Sequence, residues 1–270
     1  METRSAVAAG ASIRLSRVSK IFPSPKGPVE ALANVELTIA PGEFVSILGP
    51  SGCGKSTLLI AIAGLEPPTS GTISIAGRIV GAPRRETAIV FQDATLLPWK
   101  SALQNVLYPS EIGRQPRSAH EPKARALLQR VGLAGFEDRR PKQLSGGMRQ
   151  RVALCRALVQ DPDVLLMDEP FSALDAITRD EMAELMLDLW GEGGGRTAVF
   201  VTHSIHEAAL LSDRVVVMRR RPCEVIADIT VPFARPRRTT IVDDPAFVAL
   251  CAKLRGLIEV SMGRRSNSAA

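Results

Sequence analysis

Long hydrophobic runs are missing from this 270-residue chain. Its longest uncharged apolar stretches, such as Val164 to Met167 and Ala198 to Val201, fall far short of the ~20 residues that a bilayer-crossing helix needs. A membrane span is therefore excluded. Cysteine is scarce as well: Cys53, Cys155, Cys223 and Cys251 are widely separated and form no CxxC pair. That spacing suggests neither a zinc site nor a disulfide framework, and implies reduced, mostly packed thiols. Aromatic residues make up 4% of the chain, too few to build a base-stacking surface, so a net charge of +6 does not by itself point to nucleic acid. The same charge fits an anionic membrane surface or simple solubility. An acid at position 2 and only a brief apolar patch before Arg14 are unlike a secretory signal. The expectation is a cytoplasmic protein with residues 1–11 as a loose leader.

What is present is enough apolar matter, 45% of residues, to bury a substantial core. Ile13, Leu15 and Val18 alternate as in a strand, and Val35, Leu37 and Ile39 repeat the pattern after a loop from Pro23 to Pro28, predicting an antiparallel pair. From Leu103 to Val159 helical periods take over; Ala124, Leu127, Leu128 and Val131 share one apolar face. Strand and helix then alternate: Val164 to Met167, Ala176 to Trp190, Ala198 to Val201, Ser204 to Leu211, Val215 to Met218. Such order predicts a mainly parallel sheet covered on both faces, with ligands at the carboxyl ends of its strands.

The chain is organised around Gly49-Pro50-Ser51-Gly52-Cys53-Gly54-Lys55-Ser56-Thr57, set between an apolar run, Phe44 to Leu48, and a helical one, Leu58 to Ala63. Its glycines let successive backbone N–H groups turn inward, and the following helix adds its positive end, which makes a phosphate cradle. Lys55 would reach the β- and γ-phosphates, and Ser56 would offer a hydroxyl to magnesium. Asp168 and Glu169 follow the buried run Val164 to Met167, placed to hold the metal and to accept a proton from an attacking water. His203 ends another strand, a position suited to a γ-phosphate contact, although a lone histidine is more often a cap or a core residue. Gln92 ends a third and can orient water or complete the magnesium shell. By position alone Phe22 reads as core packing, with an adenine platform as the functional alternative.

A second glycine signal, Leu144-Ser145-Gly146-Gly147-Met148-Arg149-Gln150-Arg151, precedes the helical run Val152 to Leu158. It is either an ordinary helix cap or the completion of a phosphate site on another copy of the chain. Leu96, Leu97, Pro98 and Trp99 form an apolar cluster just after Gln92, as expected of a contact with a transmembrane partner, the alternative being packing onto the helical lobe.

With these pieces in order, the sequence resembles the ATP-binding subunits of ABC transporters over nearly its whole length. The resemblance rests on GPSGCGKST, Gln92, LSGGMRQR, VLLMDEP, SALD and His203. The stretches FQDATLLPW, SALQNV and VTHSIHEA look most like the nitrate, sulfonate and taurine importer group. The resemblance implies an α/β fold: a P-loop NTPase core with a mainly parallel sheet, an antiparallel β subdomain and an inserted α-helical subdomain at about 93–160. The ATPase domain would span 12–232, and 233–270 would be a C-terminal tail with a short helix. It further implies ATP and magnesium as cofactors, with Ser56, Gln92 and Asp168 at the metal, Glu169 as base, and Phe22 as adenine platform. ATP would be held between two head-to-tail copies, each cradle closed by Ser145, Gly146 and Gly147 of the other. Partners would be permease subunits at the cytoplasmic face of the membrane and, indirectly, an extracytoplasmic solute-binding protein. Met148, Ser204 and Phe22 depart from common family residues, and none of these removes a catalytic group. A soluble ABC ATPase acting on nucleic acid or ribosomes is the competing reading. Such relatives carry a coiled-coil or zinc insertion or a second cassette, none of which is present here, so no nucleic-acid partner is expected.

Overall fold

The computed structural model describes residues 10–191, 195–220 and 222–262. All but the last two residues of the expected leader lie outside the described ones.

Five strands form a parallel sheet: β3 (Phe44–Leu48), β6 (Thr87–Val90), β7 (Val164–Asp168), β8 (Thr197–Thr202) and β9 (Arg214–Met218). A sixth, β10 (Val225–Thr230), pairs antiparallel with β9 at one edge, giving the order β10-β9-β3-β8-β7-β6. Alternate residues of the central strands belong to different cores. Phe44, Leu48, Leu165, Met167, Phe200 and Val217 face one way, and Val45, Ile47, Leu166, Val201, Val216 and Met218 face the other. Because side chains point alternately up and down, a strand apolar at every position can be buried on both faces. These short unbroken runs lack the polar alternation of a half-exposed sheet for that reason.

Against the second face lies a four-stranded antiparallel sheet of order β2-β1-β4-β5, made from β1 (Ile13–Phe22), β2 (Val29–Ile39), β4 (Ser70–Ile75) and β5 (Arg78–Ile79). Helix α1 (Lys55–Ile62) shares this apolar layer. The β2 strand starts at Val29, six residues before the alternation visible in the sequence begins, since Val29, Glu30 and Ala31 are too exposed to carry an inward-outward pattern. A third cluster is built from helices α2 (Ala102–Ile112), α3 (Arg117–Arg130) and α4 (Gly146–Leu158), through Leu103, Val106, Leu128, Val152 and Cys155 among others. Ser101 and Gln104 close the start of α2 with a reciprocal capping box.

On the first face pack α5 (Ala176–Gly191), α6 (Ile205–Leu211) and α7 (Pro245–Ser261). The expected short C-terminal helix is thus 17 residues long. Asp244 caps it by accepting from the Ala246 amide, and Phe247, Leu250 and Leu254 seat it in the core. Arg235 and Arg237 tie the preceding segment down, with Arg235 Nε donating to Asp213 Oδ1 at 2.7 Å. Among the described residues no helix is long and apolar enough to cross a membrane.

Candidate functional site

The loop after β3 is shaped by glycine where nothing else fits. Gly54 precedes α1 at φ 115°, and a Cβ there would sit 2.6 Å from the Ala31 carbonyl oxygen. At Gly49 a Cβ would come within 2.8 Å of the Met218 carbonyl oxygen, so the loop can leave β3 only without a side chain. The resulting turn delivers Lys55 into the interior at 3% exposure. Its Nζ donates to the carbonyls of Gly49 (2.8 Å) and Pro50 (3.1 Å) and lies 3.5 Å from Glu169 Oε1. A buried ammonium held this way is satisfied yet poised over the loop.

Beside it, Ser56 Oγ donates to Asp168 Oδ1 at 2.9 Å, bringing together a hydroxyl and a carboxylate from elements 112 residues apart. Burial, with the Glu169 charge adding to it, pushes the Asp168 carboxyl above its ordinary range, while Ser56 and Lys55 pull the other way. Glu169 sits in the left-handed region at φ 43°, an unusual place for a non-glycine residue. Its amide donates to the Val201 carbonyl at 2.9 Å, which fixes this turn against β8. Its Oε2 lies 2.9 Å from His203 Nδ1.

A cleft of about 500 Å³ opens over these groups, lined by Phe22, Val29, Ala31, Ser51 to Thr57, Gln92 and Glu169. The structure therefore brings together nearly all the candidate residues. Phe22, Ser51, Gly52, Cys53, Gly54, Lys55, Ser56, Thr57, Gln92 and Glu169 line the cleft. Asp168 joins through Ser56, His203 through Glu169, and Gly49 and Pro50 through the carbonyls that hold Lys55. Phe22 is at the rim, 36% exposed, with Lys20 Nζ 5.1 Å from its ring centroid; it is not core packing.

Ser145, Gly146 and Gly147 are not brought to this cleft. They open α4, where the Ser145 side chain accepts from the Met148 amide at 3.2 Å as a local cap. The helix begins at Gly146, well before the apolar run at Val152, because the cap offsets the poor helix propensity of two glycines.

Other residues of the site left little trace in the sequence. Val29 and Ala31 line the cleft from the strand start that the pattern did not mark. Gln150 Nε2 donates to the Phe91 carbonyl at 3.1 Å, and Arg156 donates to the carbonyls of Ala94 (2.9 Å) and Thr95 (3.0 Å). Both side chains project from α4 onto the segment that carries Gln92. Their only signal was polarity inside a helix otherwise apolar on its buried side. Thr202 Oγ1 donates to Glu207 Oε2 at 2.7 Å and accepts from the Ser204 amide, fixing the backbone on both sides of His203.

A glycine loop at a strand-to-helix turn, a serine-carboxylate pair and a half-buried acidic strand end are the geometry of a nucleotide-hydrolysing P-loop protein. Residues 32–172 match the family model described as ABC transporter. The chain belongs to the ABC transporter family, and it is an ATPase of that family. It is 43% identical over 89% of its length to the taurine import ATP-binding protein TauB of Burkholderia pseudomallei, covering 94% of that protein. It is likewise 43% identical over 89% of its length to the bicarbonate transport ATP-binding protein CmpD of Synechocystis sp., covering 86% of it. Identity to the nitrate import ATP-binding protein NrtD of Synechococcus elongatus is 44%, over 86% of each chain. Among solved structures, a dimeric post-hydrolysis state of the ATP-binding cassette MJ0796 bound to ADP and Pi superposes with a TM-score of 0.72. That structure is 34% identical, and the match covers 82% of this chain and all of that one.

Proposed function

We propose that this chain is the ATP-hydrolysing subunit of an importer for a small oxyanion-bearing solute, working on the cytoplasmic face of a membrane with separate permease subunits. A solute-binding protein on the other side would deliver the cargo. The names of the similar proteins, which concern taurine, bicarbonate and nitrate, support the solute class. The observation that carries the catalytic half is the convergence of Lys55, Ser56, Asp168, Glu169 and His203 at the carboxyl ends of neighbouring strands.

In this reading Lys55 leaves its two loop carbonyls and turns toward the β- and γ-phosphates. Phe22 stacks on adenine at the rim, and Ser51 to Thr57 enclose the phosphates. Ser56 and Asp168, with Gln92, are oxygen donors of the type that suits magnesium, which would neutralise charge on the phosphate oxygens. Among the described residues no cluster of three or more His, Cys, Asp or Glu side chains forms a metal cage. Glu169 is placed to accept the proton of the attacking water, and His203 holds the Glu169 carboxylate from the open side. Ser145, Gly146 and Gly147 of a second copy would close the cleft. Leu96 packs on the helical cluster, whereas Trp99 is 67% exposed and free to meet a short cytoplasmic helix of a permease.

The test is Glu169→Gln, which preserves size and the contact to His203 but removes the base. Nucleotide binding should persist while steady-state hydrolysis falls by about 10² or more. Hydrolysis near the parent rate would remove Glu169 from the base role.

A further inference from the structure

Cys53 lies within the phosphate cradle, and Cys223 lies in the connection between β9 and β10, 170 residues away. Their sulfurs are 3.9 Å apart and buried, with Met218 Sδ 3.6 Å from Cys223 Sγ. Cys223 is anchored: its amide donates to the Ala31 carbonyl at 3.2 Å and its carbonyl accepts from the Ala33 amide at 3.1 Å. Cys53 is not held so firmly. It sits between Gly52 and Gly54, both at positive φ, and its amide reaches the Pro50 carbonyl at only 3.4 Å. At 2% exposure it forms part of the wall of the open cleft, which makes the nucleotide side the route by which a small oxidant would reach it.

We infer that Cys53 and Cys223 form an oxidisable thiol pair whose disulfide distorts the phosphate cradle and switches nucleotide binding off. The oxidant is hydrogen peroxide. The Cys53 thiolate attacks one peroxide oxygen, the O–O bond breaks, and the departing hydroxide leaves as water after taking up a proton, giving a sulfenic acid. The Cys223 sulfur then attacks Cys53 Sγ; the S–S bond forms, the S–O bond breaks, and hydroxide leaves as a second water with the Cys223 proton. Two thiols lose two electrons, and one peroxide becomes two waters. The hydrogen bond from Cys223 and the nearby Lys55 charge lower the Cys53 thiol from its ordinary value, in keeping with Cys53 as the attacking partner.

Closing the gap from 3.9 Å to a bond of about 2.05 Å moves one sulfur by nearly 2 Å. Because Cys223 is fixed to β2, the movement falls on the glycine-flanked loop, and with it on the backbone that would meet the phosphates. The functional consequence rests on the reading of residues 49–57 as the nucleotide cradle.

Full-length protein would be treated with hydrogen peroxide, its free thiols blocked, and its peptides mapped without reduction. The expected product is a Cys53–Cys223 linked peptide. ATPase activity should fall by about 10²-fold in the linked fraction, the scale of a misplacement of about 1 Å at a reacting centre. Dithiothreitol should restore it. Cys223→Ser, checked first for the parent's ATPase rate and melting temperature, should keep its activity under peroxide or lose it much more slowly. Absence of the linked peptide, or equal inactivation of Cys223→Ser and parent, overturns the inference. A linked chain that binds ATP as tightly as the reduced one does so too. Failure of the untreated chain to bind ATP would instead overturn the cradle reading, leaving the linked peptide as evidence for the pair.

Discussion

Lys55 is a buried charge, at 3% exposure, with two carbonyls and one carboxylate around it. Lys55→Ala removes the cation that would face the phosphates and leaves Glu169 without its nearest positive neighbour. Nucleotide affinity should drop by at least about tenfold, on the scale of one lost charge-assisted contact; titration with a fluorescent nucleotide measures it. Glu207 presents the opposite case. Burial raises its carboxyl above the ordinary range, despite Thr202 Oγ1, Arg179 and His203, and Glu169 adds to the rise. A carboxyl raised in the folded state costs stability wherever it is ionised there, and the cost disappears as pH falls through the folded value. Glu207→Gln keeps an acceptor for Thr202, so the variant should melt at or above the parent at neutral pH. That advantage should vanish in acid, as thermal melts between pH 4 and pH 8 would show. Legibility differs between these two residues for a physical reason. Lys55, Ser56, Asp168 and Glu169 stand in short contiguous motifs whose spacing follows from a strand, a turn and a helix. Glu207 and Gln150 act through contacts made only after folding, and nothing in their immediate neighbours marks them.

Among the elements, α4 has two duties. Its first turn carries Ser145, Gly146 and Gly147, and its later turns hold the segment after β6 through Gln150 and Arg156. A rigid helix of 13 residues therefore links the surface expected to meet a second copy with the loop that carries Gln92 and Trp99. Arg156→Ala frees the Ala94 and Thr95 carbonyls. Hydrogen exchange should quicken across 92–99 with little change in β3 or β7, and transport should suffer more than basal ATPase. Unchanged exchange in that segment would show that Arg156 does not hold it. Elements were legible where periodicity was strong. The buried strands β3, β7, β8 and β9 and the helices α5 and α6 stood at their expected places within a residue or two. By contrast, β10 is half-buried along its length and so carries no clean alternation. The helical period of α7, with Phe247, Leu250, Cys251 and Leu254 on one face, is present in the sequence, but apolar residues that end up exposed, Val248 and Val260, blur where that face lies and how far it runs.

At the scale of the whole molecule, the cleft is open and the Ser145 loop lies away from it, so under the proposed reading one copy alone holds an incomplete site. The central claim is that the γ-phosphate draws two copies together, since a loop of serine and glycines gains a charge-assisted contact only when that group is present. The choice of interface variant follows from the packing. A Cβ at Gly147 would collide with Thr178 Cγ2 of the same chain, so a substitution there would disturb α5 as well as any interface. Gly146 has open space around it, with Arg149 Nη2 at 3.9 Å as the nearest group, so Gly146→Glu adds bulk and charge without breaking the protomer. The direct measurement is light scattering on Glu169→Gln with magnesium and either ATP or ADP. ATP should shift the mass from one copy to two, ADP should not, and adding Gly146→Glu should return it to one. Equal masses with ATP and ADP, or full dimerisation of the Gly146→Glu chain, would contradict the account.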